Sequence, residues 1–381
     1  MAQIAKKRID ELDMVKGFAI ILVFFRHINE ITGISNLDNP FTITFKVFFE
    51  VVMILFFLCS GYVFSNKGTI LQGIGKKAKQ LLIPLLTFGL FDTAIYFVRY
   101  IIVEGKPFIW FLDNTLTNFA GLLNWNIRLG AVIPNQMMYA FVPYWFIFQL
   151  FVAFCLFIPL MKWLEEKHIA IKVAVAAVLM GIAMVLNYFD VQHTLADTFN
   201  SSVPYAFVLI NLFGFTSILL IGRIFKEINF FDLKALPKAF SCIIAIGCLI
   251  IYYLLPYDPQ CGYALQYGKW GPFDTYGFII ITIGGITLTY FLIFVMSLLK
   301  RFSPVKKAFC FLGENSLYIL MLHMALAETI CWLGGFWHDV YHEPFDPANI
   351  SIPHYFITVL GTIAGLAIFF IGRHFFKNKK S

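Results

Sequence analysis

Ten apolar runs, each of about 20 residues, follow one another along nearly the whole chain. A helix of that length crosses the roughly 30 Å hydrocarbon core of a bilayer. The composition agrees, since 60% of the residues are hydrophobic and only 13% are charged, against about 25% charged in soluble domains. The sequence therefore predicts an all-α, polytopic integral membrane helical bundle, forming a single domain over residues 1–381. The predicted transmembrane helices are 14–34, 42–65, 81–103, 141–163, 169–188, 204–225, 239–256, 273–299, 314–335 and 353–376.

Basic residues alternate between the two ends of successive runs. When the N-terminus is placed in the cytoplasm, the cytoplasmic ends carry all but six of the 29 Lys and Arg residues. This positive-inside pattern predicts cytoplasmic termini and a multi-pass protein of the cell (plasma or inner) membrane. The basic residues that give the net charge of +7 lie mostly at the predicted membrane surface. The lipid bilayer is therefore the expected partner, and a nucleic acid is not. The six exceptions are Arg26, Lys46, Arg99, Lys106, Arg128 and Lys269.

Metal ions and disulfides are not expected to hold this chain together. The seven cysteines are odd in number and lie mostly inside apolar runs, where a thiol acts as a small apolar group. His338 and His342 have the i,i+4 spacing of a metal pair on a helix. No third ligand is evident, however, and Pro344 and Pro347 argue against a long helix there. We therefore predict no metal site and no bound cofactor.

The first apolar run, Asp13 to Glu30, contains three basic side chains, Lys16, Arg26 and His27. Eleven residues correspond to about three helical turns, so Lys16 and His27 lie on one face, roughly 16 Å apart along the axis. Arg26 points about 100° away from His27, and Asp13 is placed to pair with Lys16 at i,i+3. An ionisable group this deep usually faces a polar cavity or pathway. The alternative is a buried histidine that only bonds a neighbouring helix.

Other predicted spans also carry polar groups in their middle. Such groups indicate an internal polar cavity for a substrate or for proton movement, although each could serve as a helix–helix hydrogen bond. Ser316 precedes His323 by seven residues on the same face, which is about 10 Å by rise and too far for direct proton transfer. We therefore propose no serine–histidine triad, and Glu314 is expected at the cytoplasmic entrance. The buried polar positions are Glu50, Asp92, Gln149, Asn211, His323 and Glu328.

The longest predicted outer loop runs from about Glu104 to Ala140 and is rich in aromatic residues. Trp and Tyr are enriched at membrane–water interfaces. The segment is therefore either an interfacial lid or shallow re-entrant segment, or a plain connector with aromatic anchors.

Three stretches carry a resemblance to a known family: RIDELDMVKGFAIILVFFRH, MILFFLCSGYVF and GENSLYILMLH. Together they resemble the membrane acyltransferase-3 family, whose members O-acylate surface polysaccharides, lipid-linked sugars and related acceptors. That family has a basic residue, ten residues and then a histidine in its first span, as Lys16 and His27 do here. Further matching residues are Arg8, Leu12, Asp13 and Gly17 in the first stretch, Phe56, Phe57, Ser60, Gly61 and Tyr62 in the second, and Gly313, Ser316, Leu317 and His323 in the third.

The chain departs from the family pattern at the start of its third span. The family often has Arg-x-x-Arg a few residues ahead of a proline, where this chain has GKKAKQLLIP. Lys76 and Lys79 give that spacing, but counting back from Pro84 pairs Lys77 with Gln80 instead. A lysine binds phosphate as a point charge, without the bidentate fork of arginine. The cluster also fits an ordinary positive-inside loop.

The resemblance implies a membrane O-acyltransferase, in the first instance an O-acetyltransferase. Its donor would be cytosolic acyl-CoA, notably acetyl-CoA, and its acceptor a sugar hydroxyl of a surface or lipid-linked glycan. His27 would be the general base, and Lys16, Lys76, Lys77 and Lys79 would bind the donor. Direct transfer and an acyl-enzyme on Ser60 or another hydroxyl both stay open. Residues expected to line or support the cavity are Asp13, Arg26, Glu50, Ser60, Asp92, Trp145, Glu314, Ser316 and His323.

A polytopic exporter or flippase for polysaccharide units is the alternative function. Embedded charges suit transport as well as catalysis. Transporters, however, often show internal repeats and helices broken near the bilayer midplane, and neither is clear here. The acceptor sugar, the modified hydroxyl, the acyl group and the oligomeric state stay open at this point.

Overall fold

The computed structural model describes residues 9–32, 40–65, 67–120, 144–192, 204–231, 237–254, 277–335 and 352–378, and these residues fold into helices without a β-strand. A π-helical turn, Val98–Val103, continues the third helix. The helices are α1 (Asp10–Ile31), α2 (Pro40–Val63), α3 (Ile70–Phe97), α4 (Phe108–Ala120), α5 (Trp145–Leu164), α6 (Ile169–Gln192), α7 (Pro204–Glu227), α8 (Lys238–Leu254), α9 (Gly277–Leu299), α10 (Ser303–Glu314), α11 (Ser316–Leu333) and α12 (Ile352–Asn378).

Within the described residues, seven helices are long and apolar enough to cross a membrane: α3 with its π-helical turn, α5, α6, α7, α9, α11 and α12. Val52–Val63 of α2 and the whole of α8 are shorter apolar helices. Helix α1 is less apolar because it holds Lys16, Arg26 and Glu30. The all-helical membrane architecture is therefore confirmed, while the count of ten spans and the cytoplasmic termini remain predictions.

Helix α1 lies at the centre of the bundle. It packs against α2, α9, α10, α11 and α12. Met14, Val15, Ala19 and Ile28 are almost completely buried along its length. The first predicted span is thus enclosed by other helices, and His27 on it faces protein neighbours.

Two glycines let the backbones of α1 and α10 touch. A Cβ atom on Gly17 would lie 2.1 Å from the carbonyl oxygen of Phe309, and one on Gly313 would lie 1.8 Å from that of Asp13. Real Cβ atoms essentially never approach so closely, and both obstacles are backbone. The first and third stretches of the family resemblance therefore meet at this crossing.

A second pair of glycines joins α2 to α7 in the same way. A Cβ atom on Gly61 would lie 2.0 Å from the carbonyl oxygen of Leu219, and one on Gly222 would lie 2.3 Å from that of Leu58. Small residues allow such close helix packing in membranes. Gly61, from the second stretch of the resemblance, thus has a packing role.

Ion pairs also fasten the N-terminus of α1. Lys306 of α10 lies 2.6 Å from Asp10, and Lys300 pairs with Glu11. The hydrogen bond and the charge of Asp10 raise the pKa of Lys306. Carboxylates at a helix N-terminus also complement the helix dipole. The start of α1 is therefore held to the segment between α9 and α11.

The long outer loop begins with a helix, α4, that packs on the end of α3. The ring centroid of Phe111 lies 5.3 Å from that of Phe97, and the ring centroid of Trp110 lies 5.2 Å from that of Tyr100. The first part of the loop is therefore docked onto the bundle. Residues 121–143, which complete the loop, lie outside the described residues.

Candidate functional site

His27 of α1 and His323 of α11 meet inside the bundle. Their ring centroids are 5.2 Å apart, with the ring planes tilted by 41°. Phe24, one turn before His27, packs against His323, with 6.2 Å between the two ring centroids. The side chain of His323 is completely buried, and that of His27 is partly buried. The structure thus brings together the two histidines that the sequence singled out separately.

The main chain of α11 determines which nitrogen of His323 carries the proton. Nδ1 lies 2.9 Å from the carbonyl oxygen of Ile319 and 3.0 Å from that of Leu320. A carbonyl oxygen only accepts hydrogen bonds, so Nδ1 is the protonated nitrogen that donates. In the neutral ring the lone pair then resides on Nε2.

The expected ion pair at the start of α1 is present. Lys16 Nζ lies 2.6 Å from Asp13 Oδ1, and the Lys16 side chain is 24% exposed. Lys16 precedes His27 by eleven residues, or roughly 16 Å along the helix. Glu314, the last residue of α10, is exposed, and Ser316, the first residue of α11, is half-buried. The partly accessible ammonium group of Lys16 therefore lies far from His27, which is on the same helix.

The lysines of the third span lie on a helix and not in a loop. Helix α3 begins at Ile70, well before the predicted residue 81. Thr69 and Gln72 form a capping box that starts it there. Lys77 Nζ lies 3.9 Å from the centroid of the Phe154 ring of α5. Lys76 and Lys79 are both exposed.

A polar network between α3 and α11 was only partly anticipated. The hydroxyl of Tyr144, just before α5, contacts the Asp92 carboxyl and donates a 2.7 Å hydrogen bond to the carbonyl oxygen of Met321. Asp92 was predicted as a cavity residue, but Tyr144 was not identified. An aromatic residue next to an apolar run gives no signal of a buried hydrogen bond.

One turn further along α3, Tyr96 hydrogen-bonds the buried carboxyl of Glu328 on α11. Arg99 follows on the same face and pairs with Glu104 at 3.1 Å. The spacing of Asp92, Tyr96 and Arg99 is i, i+4 and i+7, a helical signal that could have been used. A small cavity between the two helices is lined chiefly by Asp92, Tyr96, Arg99, Glu328, Thr329 and Trp332.

The remaining predicted site residues lie elsewhere. Ser60 is half-buried beside Gly61, at the crossing of α2 with α7, and Arg26 is half-buried on α1. Trp145 is buried at the start of α5. The side chain of Glu50 lies outside the described residues, as do His338 and His342.

Comparisons with other proteins agree with the resemblance. A search of curated proteins found no match, and neither did a search of solved structures. The sequence model of one family, described as an acyltransferase domain, matches residues 9–371, nearly the whole chain. The matched region includes the histidine pair, the ion-paired Lys16 and the network between α3 and α11. The chain belongs to the acyltransferase-3 family.

Proposed function

We propose that this membrane acyltransferase moves an acyl group from cytosolic acyl-CoA to a sugar hydroxyl. The acyl group that we propose is acetyl. The acceptor is a surface glycan or a lipid-linked glycan at the outer face. The observation that supports this proposal is the contact between the rings of His27 and His323 inside the bundle. His27 lies on α1, and the other end of α1 bears Lys16. An imidazole is the side chain best suited to proton transfer near neutral pH.

The donor would bind at the Lys16 end of α1, which is cytoplasmic in the ten-span arrangement with both termini inside. Lys16 would contact a CoA phosphate, and Lys76, Lys77 and Lys79 of α3 would add positive charge near the same membrane surface. The pantetheine arm would then run along the face of α1 that leads to His27. This assigns binding and chemistry to opposite ends of one helix.

His27 would act as the general base in direct transfer. It takes the proton of the acceptor hydroxyl as the oxygen attacks the thioester carbonyl carbon. The carbon–sulfur bond then breaks, and the imidazolium returns its proton to the leaving CoA sulfur. The products are the ester and CoA, with no net proton released. A base with these properties typically contributes 10²- to 10⁴-fold to the rate.

His323 would support this cycle without touching the acceptor. Two imidazolium rings in contact would repel each other strongly, so the pair holds at most one extra proton. In this proposal His323 keeps its Nδ1 proton on the Ile319 carbonyl, and His27 carries the proton taken from the acceptor. The proton taken from the acceptor can therefore be passed on to the thiolate.

The proposal is tested with purified protein in nanodiscs and labelled acetyl-CoA, with and without a glycan acceptor. We expect acetyl transfer by the wild type and its loss in His27→Ala, with acetyl-CoA binding retained. His374→Ala is the matched control, because His374 is an exposed histidine of α12. Wild-type turnover in His27→Ala would remove His27 from the mechanism. Glycan movement without acyl transfer would instead support an exporter.

A further inference from the structure

We infer that the last turns of α12 bind the phosphate of an anionic phospholipid through Arg373. The lipid is a bound ligand of the protein and not a substrate, so the inference does not depend on the proposed function. The site consists of the Arg373 guanidinium and of three aromatic rings, Phe88 of α3, Tyr318 of α11 and Phe369 of α12.

The guanidinium of Arg373 is held in position by two neutral groups. Its Cζ atom lies 4.1 Å from the centroid of the Tyr318 ring, a distance at which the ring face attracts a cation. Its Nη1 atom donates a 2.8 Å hydrogen bond to Oδ1 of Asn315. Neither partner carries a negative charge. The positive charge of Arg373 is therefore fixed in one place on an exposed side chain without being neutralised.

Two other arginines of the bundle have a carboxylate partner. Arg99 and Arg223 each pair with a glutamate, with 3.1 and 3.2 Å between the bonded N and O atoms. Within the part of the chain that the structure describes, Arg373 forms no ion pair. A guanidinium has five N–H donors, and most of those on Arg373 remain after the bond to Asn315. This planar fork suits the bidentate binding of a phosphate group.

The three aromatic rings give the site an apolar part next to the cation. The ring centroid of Phe369 lies 5.9 Å from that of Tyr318, and the ring centroid of Phe88 lies 6.2 Å from each of them. All three residues are half-buried. Phe369 precedes Arg373 by one helical turn, about 6 Å deeper in the membrane. A lipid whose phosphate contacts Arg373 therefore has the upper part of an acyl chain at the level of these rings.

The surroundings of Arg373 favour an anionic lipid over other anions. Helix α12 exposes Leu360, Ile368 and Ile371 along its length, and in a bilayer such a surface contacts acyl chains. In the ten-span arrangement the end of α12 lies at the cytoplasmic surface, where anionic lipids attract basic groups. Three of the last five residues of the sequence are lysines, which attract the same lipids. A choline headgroup fits less well, because the guanidinium repels its quaternary ammonium group.

The test measures lipid binding directly, without relying on catalysis. The full-length protein in detergent is titrated with phosphatidylglycerol or with phosphatidylcholine, and native mass spectrometry counts the lipids bound to folded protein. We expect the first phosphatidylglycerol to bind more tightly than phosphatidylcholine. Arg373→Gln should weaken that binding roughly 10- to 150-fold, as loss of a charge-assisted contact implies. Tyr318→Leu keeps the charge but removes the ring that orients it, and should also weaken binding.

The matched control is Arg301→Gln, which removes an exposed arginine from the turn between α9 and α10. It should bind phosphatidylglycerol like the wild type. Equal phosphatidylglycerol binding by Arg373→Gln and the wild type would overturn the inference, as would equal binding of the two lipids by the wild type. An equal loss in Arg301→Gln would overturn it in favour of a general effect of surface charge. Displacement of phosphatidylglycerol by the same concentration of glycerol 3-phosphate would overturn it in favour of a site for free phosphates.

Discussion

The hydroxyl of Tyr144 donates to the main-chain carbonyl of Met321, two residues before the histidine that contacts His27. A side chain from the start of α5 thereby holds the part of α11 that carries His323. The same hydroxyl contacts Asp92 of α3. The cavity and the histidine pair are thus connected through a single tyrosine.

Replacing Tyr144 with Phe should remove the contact with Asp92 and the hydrogen bond to the Met321 carbonyl at once. The Asp92 carboxyl would lose its partner inside the bundle, at a cost of about 1–3 kcal/mol. We expect a lower thermal midpoint and slower acyl transfer, measured by differential scanning fluorimetry and by product formation. Tyr253→Phe is the control, since Tyr253 is exposed on α8. Unchanged stability and turnover in Tyr144→Phe would show that the contacts of the Tyr144 hydroxyl have no role.

The crossing of α1 with α10 should not tolerate a methyl group. Gly313→Ala would place a Cβ atom 1.8 Å from a carbonyl oxygen, and overpacking of this kind costs about 1–3 kcal/mol or more. We expect a large loss of folded protein in detergent, measured by size-exclusion chromatography and thermal unfolding. Gly181→Ala serves as the control because a Cβ there meets nothing within 4 Å. Similar behaviour of the two variants would contradict the backbone contact.

Lys16 should affect donor binding more than turnover. Lys16→Met removes one charge-assisted contact worth about 1.5–3 kcal/mol, or roughly 10- to 150-fold in affinity. The Michaelis constant for acetyl-CoA should rise by that factor while kcat changes little. Lys16→Arg keeps the charge and should stay active, and Lys307→Met, at an exposed lysine of α10, should resemble the wild type. An unaltered affinity for acetyl-CoA in Lys16→Met would leave Lys16 with a topological role only.

The ten-span arrangement predicts the side of each loop. Reporter fusions after Gln72, Glu166, Lys234 and Arg301 should report the cytoplasm. Fusions near Asn126, Asp197 and Asp346 should report the outside, as a tally of basic residues implies. A single cytoplasmic loop detected outside would refute this topology.

Much of the fold could be predicted because apolar length is a local property. Each of the ten predicted runs overlaps a helix of the structure, whatever the final number that crosses the bilayer. The early start of α3 was missed because it depends on the capping box of Thr69 and Gln72 within a polar stretch. Helices α4 and α10 have only 13 and 12 residues, too few for a search based on span length.

The site was only partly predictable because its parts come from distant segments. His27 and His323 were found separately, since an ionisable group inside an apolar run is conspicuous. The partnership of Tyr96 with Glu328 joins residues that are 232 positions apart. It depends on the packing of α3 against α11, which no local pattern reveals. A tyrosine in an apolar run looks like an ordinary membrane residue until its hydroxyl is located.

The crossing at Gly17 acts as a fulcrum for His27. The histidine lies ten residues beyond that glycine, which is a lever arm of about 15 Å along α1. Tilting α1 by only about 4° at the crossing would therefore displace the imidazole by roughly 1 Å, a shift that can cost about 10²-fold in rate. A contact between two backbones at one end of the helix would thus determine the accuracy of the proposed proton transfer at the other.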